Sequence, residues 1–175
     1  MTSTLKSAHL LGIALLIVGM FLGGPLSAQD WRDVPLRDVT SGRTFRISDF
    51  EGKPVLLESF AVWCPVCSKQ QKEIQELHQE IGEQVISISI DVDPNEDEDL
   101  VRDHASRNGF SWLYAIAPPE LIRALIDEFG TAIVAAPSSP IVLICEDDDQ
   151  EARLLKRGVK RADTLREEIQ RGCSS

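Results

Sequence analysis

Two cysteines separated by two residues give this sequence its clearest chemical signal. Cys64 and Cys67 stand in the run Trp63-Cys64-Pro65-Val66-Cys67. Two thiols about one helical turn apart can close a disulfide and reopen it. At a helix N-terminus, unpaired N–H groups and the helix dipole stabilise the thiolate of Cys64. The spacing therefore predicts thiol-disulfide exchange, with Cys64 as the nucleophile near the exposed end of a helix and Cys67 as the resolving thiol.

A carboxylic acid lies six residues before the first cysteine. Glu58 interrupts an otherwise apolar run over residues 55–60. Burial disfavours the charged form of a carboxyl and brings its pKa towards the range that suits proton transfer. We therefore predict that Glu58 is the acid-base partner of Cys67. The alternative is that Glu58 faces solvent on a strand edge, because side chains alternate between the two faces of a strand.

The elements that position these residues can be read from hydrophobic period and chain breakers. Residues 34–39 and 43–47 flank Ser41-Gly42 and predict a short hairpin. Residues 55–60 have the length and composition of a strand buried on both faces. From Cys67 to Ile81, apolar residues recur at steps of three and four, which predicts an amphipathic helix ending at Gly82.

The second half of the chain continues the alternation of strands and helices. We predict strands at 85–90 and 112–116, helices at 98–108, about 119–129 and 162–170, and a hairpin of 141–145 with 152–155 around the acidic turn 146–150. These elements predict one α/β domain whose mixed sheet is covered by helices on both faces.

The N-terminus has the pattern of an export signal. Lys6 precedes an apolar run over residues 10–22, which is followed by Gly23-Gly24-Pro25 and then Leu26-Ser27-Ala28. Residues 1–28 are thus predicted to be a signal peptide or a membrane anchor, and 29–175 the folded domain. Residues 8–26 are nearly long enough to tether the chain if they are not removed. Either outcome places the domain outside the cytoplasm, where disulfides persist.

Charge and spacing argue against nucleic-acid and metal sites. The formal net charge is −10, from 18 basic and 28 acidic residues, and such a surface repels phosphate backbones. His78 and His104 lie on predicted helices among charged neighbours, so we expect both at the surface. Residues 91–97 match only part of the pattern of a calcium-binding loop, since Glu96 stands where that loop has its turn glycine. We expect neither a metal nor a cofactor.

Residues 49–67 resemble the thioredoxin superfamily, and more narrowly its secreted or membrane-tethered reductases, which include the cytochrome c maturation thioredoxins. The shared features are a loop ending in Gly52-Lys53, an apolar strand, and then Ala61-Val62-Trp63 before the cysteine pair. The resemblance implies a thioredoxin fold with an N-terminal β-hairpin extension, and a buried acid at Glu58. It also implies a thiol-disulfide oxidoreductase of exported proteins, acting either as a reductant supplied by an upstream thiol donor or as an oxidant. We favour the reductant, because Pro65-Val66 supplies no charge that would further stabilise the reduced thiolate.

The resemblance further implies a cis-proline before the fourth core strand, facing the dithiol and offering backbone groups to the substrate. Pro137 and Pro140 are both candidates. We favour Pro140 because it directly precedes an apolar strand, although both bonds are trans in the alternative. The segment 130–140 is longer than in typical thioredoxins. We expect Trp63, Pro65 and Ser139 to contact the substrate.

Two other functions remain to be weighed against a reductase. Peroxiredoxins share the fold but need a threonine three residues before the peroxidatic cysteine, and Ala61 occupies that place before Cys64. The stronger alternative is a non-catalytic binding module, such as a metal or partner-protein carrier, because a fold does not determine a function.

Two cysteines remain. Cys145 ends the predicted strand 141–145, and Cys173 follows the last predicted helix. If the fold is thioredoxin-like, both finish at the end of the sheet remote from Cys64. We hypothesise a structural disulfide between them, which an oxidising compartment would permit. The alternative is a buried Cys145 with a free Cys173.

Overall fold

The computed structural model describes residues 30–145 and 152–173. Its centre is a five-stranded mixed sheet with the strand order β5-β4-β3-β6-β7. The strands are β3 (Val55–Phe60), β4 (Ile86–Asp91), β5 (Leu113–Ile116), β6 (Ile141–Ile144) and β7 (Ala152–Leu154). β3, β4 and β5 run parallel, whereas β6 and β7 are antiparallel to their neighbours. The predicted mixed sheet is confirmed. The predicted signal segment and the acidic turn 146–150 lie outside the described residues.

Helices connect the strands and cover both faces of the sheet. They are α1 (Pro65–Ile81), α2 (Glu98–Asn108), α3 (Pro119–Phe129) and α4 (Ala162–Gly172). α2 ends at Gly109, whose φ of +69° lies in the left-handed region that glycine enters without a steric penalty. The predicted N-terminal hairpin is present as the antiparallel pair β1 (Leu36–Arg37) and β2 (Thr44–Phe45).

Alternation along the strands assigns each side chain to one face of the sheet. Leu57 and Ile88 pair on one face and belong to the cluster that α3 and the N-terminal segment complete. Leu56 lies on the opposite face and packs with residues of α1 and α4. Glu58 points to this second face as well, because it is two residues from Leu56. The acid therefore lies under α1, the helix that carries the cysteine pair.

β3 is buried at every position, as the apolar run predicted. It is the central strand, with hydrogen-bonded neighbours on both sides and helices above and below. Glu58 has 0% exposure, so the alternative of a solvent-facing strand edge is wrong. Two short 3-10 helices, Thr131–Val134 and Ala136–Ser138, fill the long segment before β6 and bring it against α1.

Candidate functional site: a dithiol above a buried acid

The cysteine pair lies at the N-terminus of α1, directly after the central strand. Cys64 is the N-cap residue and Pro65 occupies the first turn, where a missing N–H leaves no helical bond unmade. The Cys67 N–H donates to Cys64 Sγ over 3.1 Å. The two sulfur atoms lie 2.22 Å apart with their Cα atoms 5.3 Å apart, so the pair is in its bridged form. The same N–H would stabilise a Cys64 thiolate after reduction.

Cys64 is less accessible than its place at a helix end suggested. Its exposure is 1% and that of Cys67 is 0%, because Phe60, Ala61 and Ala136 pack around them. Cys64 thus stands at the helix end as predicted, but neighbouring side chains cover it. The exposed residues of the motif are Pro65 and Trp63, the latter 60% exposed. A large partner that approached the motif would contact these two side chains first.

The segment before β6 faces the dithiol, but not through the residues that we favoured. Every peptide bond among the described residues is trans, so the predicted cis bond before Pro140 is wrong. Ser139 enters the left-handed region with φ of +47° and reverses the chain there. Its side chain has 0% exposure, which corrects its assignment as a substrate contact. Ala136 approaches instead, with its carbonyl oxygen 3.1 Å from Cys67 Sγ.

Pro140 has a structural role at the end of the central strand. It is buried, and its carbonyl oxygen accepts from the N–H of Ser59 over 3.2 Å. This bond extends the pairing of β3 with β6 by one step beyond Glu58 and Ile141. Pro140 therefore fixes the strand that carries the acid, whereas Pro137 lies nearer the surface beside the cysteine motif.

A groove of about 310 Å³ runs beside Trp63. Three loops form it, namely the turn before α1, the loop after β4 and the segment before β6. Its lining is mostly apolar, with two polar side chains: Ala61, Trp63, Val92, Asp93, Pro94, Asn95, Val134, Ala135, Ala136 and Pro137. The indole Nε1 of Trp63 donates to Asp93 Oδ2 over 2.6 Å and so holds the ring against the groove.

Beneath the cysteines, Glu58 accepts two hydrogen bonds at one oxygen. Gln71 Nε2 donates over 3.2 Å and Ser89 Oγ over 2.8 Å, both to Oε2. No donor among the described residues reaches Oε1, which is fully buried. Burial raises the pKa of Glu58 to about 7, against the opposing effects of these two bonds and of the Lys160 charge. Near neutral pH the carboxyl can therefore both release and take up a proton.

Gln71 is itself oriented by a histidine. Its Nε2 donates to Glu58, so its Oε1 must accept, and His104 Nε2 lies 2.7 Å away as the donor. His104 stacks on Phe60 and has 5% exposure, so the expectation of a surface histidine is wrong. Burial lowers the pKa of His104. The residues around His104 on α2 do not predict this burial, because its hydrogen-bond partner, Gln71, comes from α1.

A second buried carboxyl lies at the end of β4. Asp91 has 0% exposure, and burial, together with the charges of Glu96 and Asp93, raises its pKa to about 8. Glu96 Oε2 also accepts from the Val62 N–H over 2.7 Å, directly before the cysteine motif. The sequence signal was present, since an acid ends the apolar strand, but we considered Asp91 only as part of a calcium loop. Asp91 instead accepts from the Asp93 N–H within the β4 loop, and Glu96 ties that loop to the turn before α1.

The other two cysteines lie at the opposite end of the sheet. Ile144, next to Cys145, pairs with Val55 at the start of β3, whereas Cys64 follows the end of β3. The sulfur atoms of Cys145 and Cys173 are at bonding distance, 1.96 Å apart. The structure thus brings together the two residues that we hypothesised to form a structural bridge.

Within residues 30–145 and 152–173, no group of three or more His, Cys, Asp or Glu side chains is arranged to hold a metal ion. None of the helices in the same ranges is both long and apolar enough to cross a bilayer.

The chain is similar in sequence to known thiol-redox proteins. Residues 28–113 match the model of the AhpC/TSA family. Over 68 residues the chain is 29% identical to the thiol-disulfide oxidoreductase ResA of Oceanobacillus iheyensis. That match covers 37% of this chain and 35% of ResA, so it spans about a third of the curated relative.

Solved structures share the fold at lower identity. A secreted Mycobacterium tuberculosis disulfide oxidoreductase homologous to E. coli DsbE superposes with a TM-score of 0.63 at 15% identity, covering 82% of this chain and 99% of that one. A DsbF homologue from Corynebacterium diphtheriae gives 0.62 at 19%, covering 79% and 83%. BsSco, of the Sco family of cytochrome c oxidase assembly proteins, gives 0.62 at 18%, covering 78% and 89%. At these identities the likeness shows the fold.

Proposed function

We propose that this chain is an extracytoplasmic thiol-disulfide oxidoreductase that reduces disulfides of exported proteins through Cys64 and Cys67. Its residues 28–113 match the AhpC/TSA family, and it shares the fold of a secreted disulfide oxidoreductase. The observation that carries the proposal is the cysteine pair at the start of α1 with the buried carboxyl of Glu58 below it. A binding module would have no need of a buried acid under its cysteines, since burial of an ionisable group is destabilising.

The reaction begins from the reduced pair. The Cys64 thiolate attacks one sulfur of a substrate disulfide, and the other substrate sulfur leaves as a thiolate and takes a proton. Glu58 then accepts the proton of Cys67, whose thiolate attacks Cys64 in the mixed disulfide. The second substrate thiolate leaves and is protonated, and the bridge of 2.22 Å results. Two electrons pass from the dithiol to the substrate, and a thiol donor must restore the pair.

Trp63 and Pro65 are proposed to contact the substrate first, since both are exposed beside Cys64. The groove next to Trp63 would hold an extended segment of the substrate so that its disulfide reaches the sulfur of Cys64.

Export through residues 1–28 is the second part of the proposal. It is supported by the apolar run of the sequence and by the secreted M. tuberculosis protein of the same fold. Fractionation of cells that express the full chain tests it. Recovery of the domain outside the cytoplasm, cleaved or membrane-bound, is the expected result, whereas a cytoplasmic chain with an intact N-terminus would contradict it.

Insulin reduction in the presence of a thiol donor tests the chemistry. We expect the wild-type chain to be active, Cys64→Ser to lose activity, and Cys67→Ser to accumulate a mixed disulfide with the substrate that is visible by mass. The double variant Cys145→Ser/Cys173→Ser is the matched control, because these two cysteines are remote from the site. A wild-type chain without insulin reduction, with its dithiol reduced, would instead indicate a carrier module.

A further inference from the structure

The loop between β7 and α4 concentrates positive charge in an acidic chain. Residues 155–161 form this loop, and four of them are basic, namely Lys156, Arg157, Lys160 and Arg161. Lys160 is buried, whereas the other three are exposed. The whole chain has a formal net charge of −10. We call Lys156, Arg157 and Arg161 the cationic rim.

The directions of the strands bring the cationic rim to the edge of the sheet that carries the dithiol. β6 runs antiparallel to β3 and β7 antiparallel to β6, so β7 has the direction of β3. The loops after β3, β4 and β7 therefore leave the sheet at one edge. Because β4 and β7 lie on opposite sides of β3, the acidic loop after β4 and the cationic rim flank the cysteine motif from opposite sides.

A backbone hydrogen bond attaches the rim loop to the segment that faces the dithiol. The N–H of Gly158 donates to the carbonyl oxygen of Ser138 over 2.9 Å. Ser138 lies in the same 3-10 helix as Ala136, whose carbonyl oxygen is 3.1 Å from Cys67 Sγ. The rim loop is therefore one hydrogen bond away from the backbone that contacts the resolving cysteine.

Buried side chains fix the rim loop to α1 as well. Gln70, three residues after Cys67, accepts from the Lys160 N–H over 2.7 Å and donates to the Lys160 carbonyl over 3.0 Å. The ammonium group of Lys160 donates to the Ser139 carbonyl over 2.6 Å. Lys160 thus points inward and anchors the loop, while its basic neighbours point to solvent.

The charges of the cationic rim are available to a partner. Among the described residues, neither Lys156 nor Arg157 forms an ion pair. Lys156 acts on Glu168 only through its charge, and that carboxylate already has two arginine partners. Arg161 pairs with Asp163 over 3.4 Å, but the two side chains are 77% and 49% exposed, so water weakens the pair.

Exposed apolar side chains accompany the charges on both sides of the motif. The large apolar side chains that are exposed among the described residues are Trp63, Leu100 and Val159. Trp63 precedes Cys64, and Val159 lies in the rim loop with 40% exposure. A polypeptide that crossed Cys64 from Trp63 to Val159 would meet apolar and cationic groups together, the combination that protein interfaces use.

We propose that the cationic rim is a docking surface for acidic polypeptide segments, so that the dithiol selects substrate disulfides flanked by Asp or Glu on the side that faces β7. The inference rests on the proposed function and names its substrate class. The loop after β4 contributes the opposite sign, because Asp93 and Glu96 would repel the same carboxylates. The two loops together give a bound acidic segment one preferred side of Cys64.

Binding of cysteine-free peptides to the oxidised full chain tests the docking surface. The dye-labelled peptides differ only at three positions, which hold Glu, Gln or Lys, and fluorescence anisotropy gives their affinities. At low ionic strength we expect the Glu peptide to bind roughly threefold to tenfold more tightly than the Gln peptide, and salt to remove the difference. Repulsion by the acidic chain as a whole predicts the opposite order. Equal affinities in the wild-type chain, or tighter binding of the Gln peptide, would overturn the inference.

Charge reversal locates the effect. Lys156→Glu/Arg157→Glu should abolish the preference for the Glu peptide. The matched control is Arg43→Glu/Lys53→Glu, which has the same net charge but changes two exposed residues near the starts of β4 and β5, at the opposite edge of the sheet. This control should retain most of the preference. An equal loss in both double variants would show a long-range effect of net charge and would overturn the inference.

Reduction of disulfide versions of the same peptides separates the docking surface from the proposed function. With a neutral thiol donor present, we expect kcat/KM to follow the order of the affinities. If the cysteine-free peptides bind in the expected order but none of the disulfide peptides is reduced, the proposed function fails and the docking surface stands. If all disulfide peptides are reduced with equal kcat/KM, the function stands and the substrate preference is overturned.

Discussion

At the scale of single residues, the proposed site depends on an acid whose burial is energetically unfavourable. Glu58 is fully buried, and one of its oxygens has no donor among the described residues. Such a group raises the free energy of the folded state when it ionises. The proposed reaction would benefit, because a carboxyl with a pKa near 7 exchanges protons readily at neutral pH. In the proposed mechanism, stability is thus exchanged for proton transfer at this residue.

This acid should make the stability of the protein depend on pH. The pKa of Glu58 is about 7 in the folded chain, above its ordinary value of 4.5. The contribution of Glu58 to the free energy of unfolding is fully present below pH 4.5 and is lost as the pH rises through 7. Between pH 5 and pH 8, we expect the wild-type chain to lose about 2–3 kcal/mol more than Glu58→Gln does.

Urea unfolding of the oxidised protein at both pH values measures this difference. Glu51→Gln is the matched control, because Glu51 is exposed and should leave the pH dependence unchanged. The same slope in Glu58→Gln and in the wild-type chain would show that the acid does not titrate in this range.

At the scale of elements, two loops at the carboxyl ends of β3 and β4 are bound together. Trp63 is held by Asp93, and the N–H of Val62 is held by Glu96. Parallel strands end at the same edge of a sheet, so their following loops meet there. The β4 loop therefore sets the position of the residues on which a substrate would rest.

Asp93→Ala should weaken substrate binding more than it slows the chemical steps. The indole of Trp63 loses its hydrogen bond, so we expect KM for a disulfide peptide to rise roughly threefold to tenfold with little change in kcat. Steady-state kinetics and the fluorescence anisotropy of Trp63 measure the effect. Asp99→Ala is the control, because Asp99 is highly exposed and pairs with Arg102 outside the groove. A KM equal to that of the control would exclude this role.

At the scale of the whole molecule, the two cysteine pairs lie at opposite ends of the central sheet. The pair beside the groove is proposed to change its redox state in each cycle. The other pair joins the end of β6 to the end of α4, which packs on α1. A permanent bridge there would hold the last helix against the layer that carries the dithiol.

Removal of Cys145 and Cys173 should destabilise the chain without loss of activity. A bridge between residues separated by 28 positions restricts the unfolded chain by about 3–4 kcal/mol in the chain-entropy estimate. We expect the double serine variant to unfold at lower urea and to reduce insulin normally. Intact mass after alkylation of the oxidised wild-type chain should show no free thiol, and two free thiols would refute the bridge.

Local spacing was sufficient for the chemistry and for much of the fold. The cysteine pair, the buried strand with Glu58 and the helix up to Ile81 depend on residues that are neighbours in the chain, so their periodicity is visible in the sequence. The surroundings of Glu58 are different. Ser89 donates to Glu58, His104 bonds to Gln71 rather than to the acid, and the charge of Lys160 acts on the acid. These residues come from three distant segments, and nothing in their local sequence shows that they meet.

The same distinction explains the errors near Pro140. A proline before a strand marks where the turn lies, but the isomer of its bond and the burial of Ser139 depend on how the loop packs. The sequence by itself thus determined the cysteine motif on which the proposed reaction rests and the element that carries it. Only the tertiary structure decided which carbonyl faces Cys67, how deeply Cys64 lies and which cation stands near the acid. Those properties depend on packing between remote segments, whose energies have no signature in the spacing of neighbouring residues.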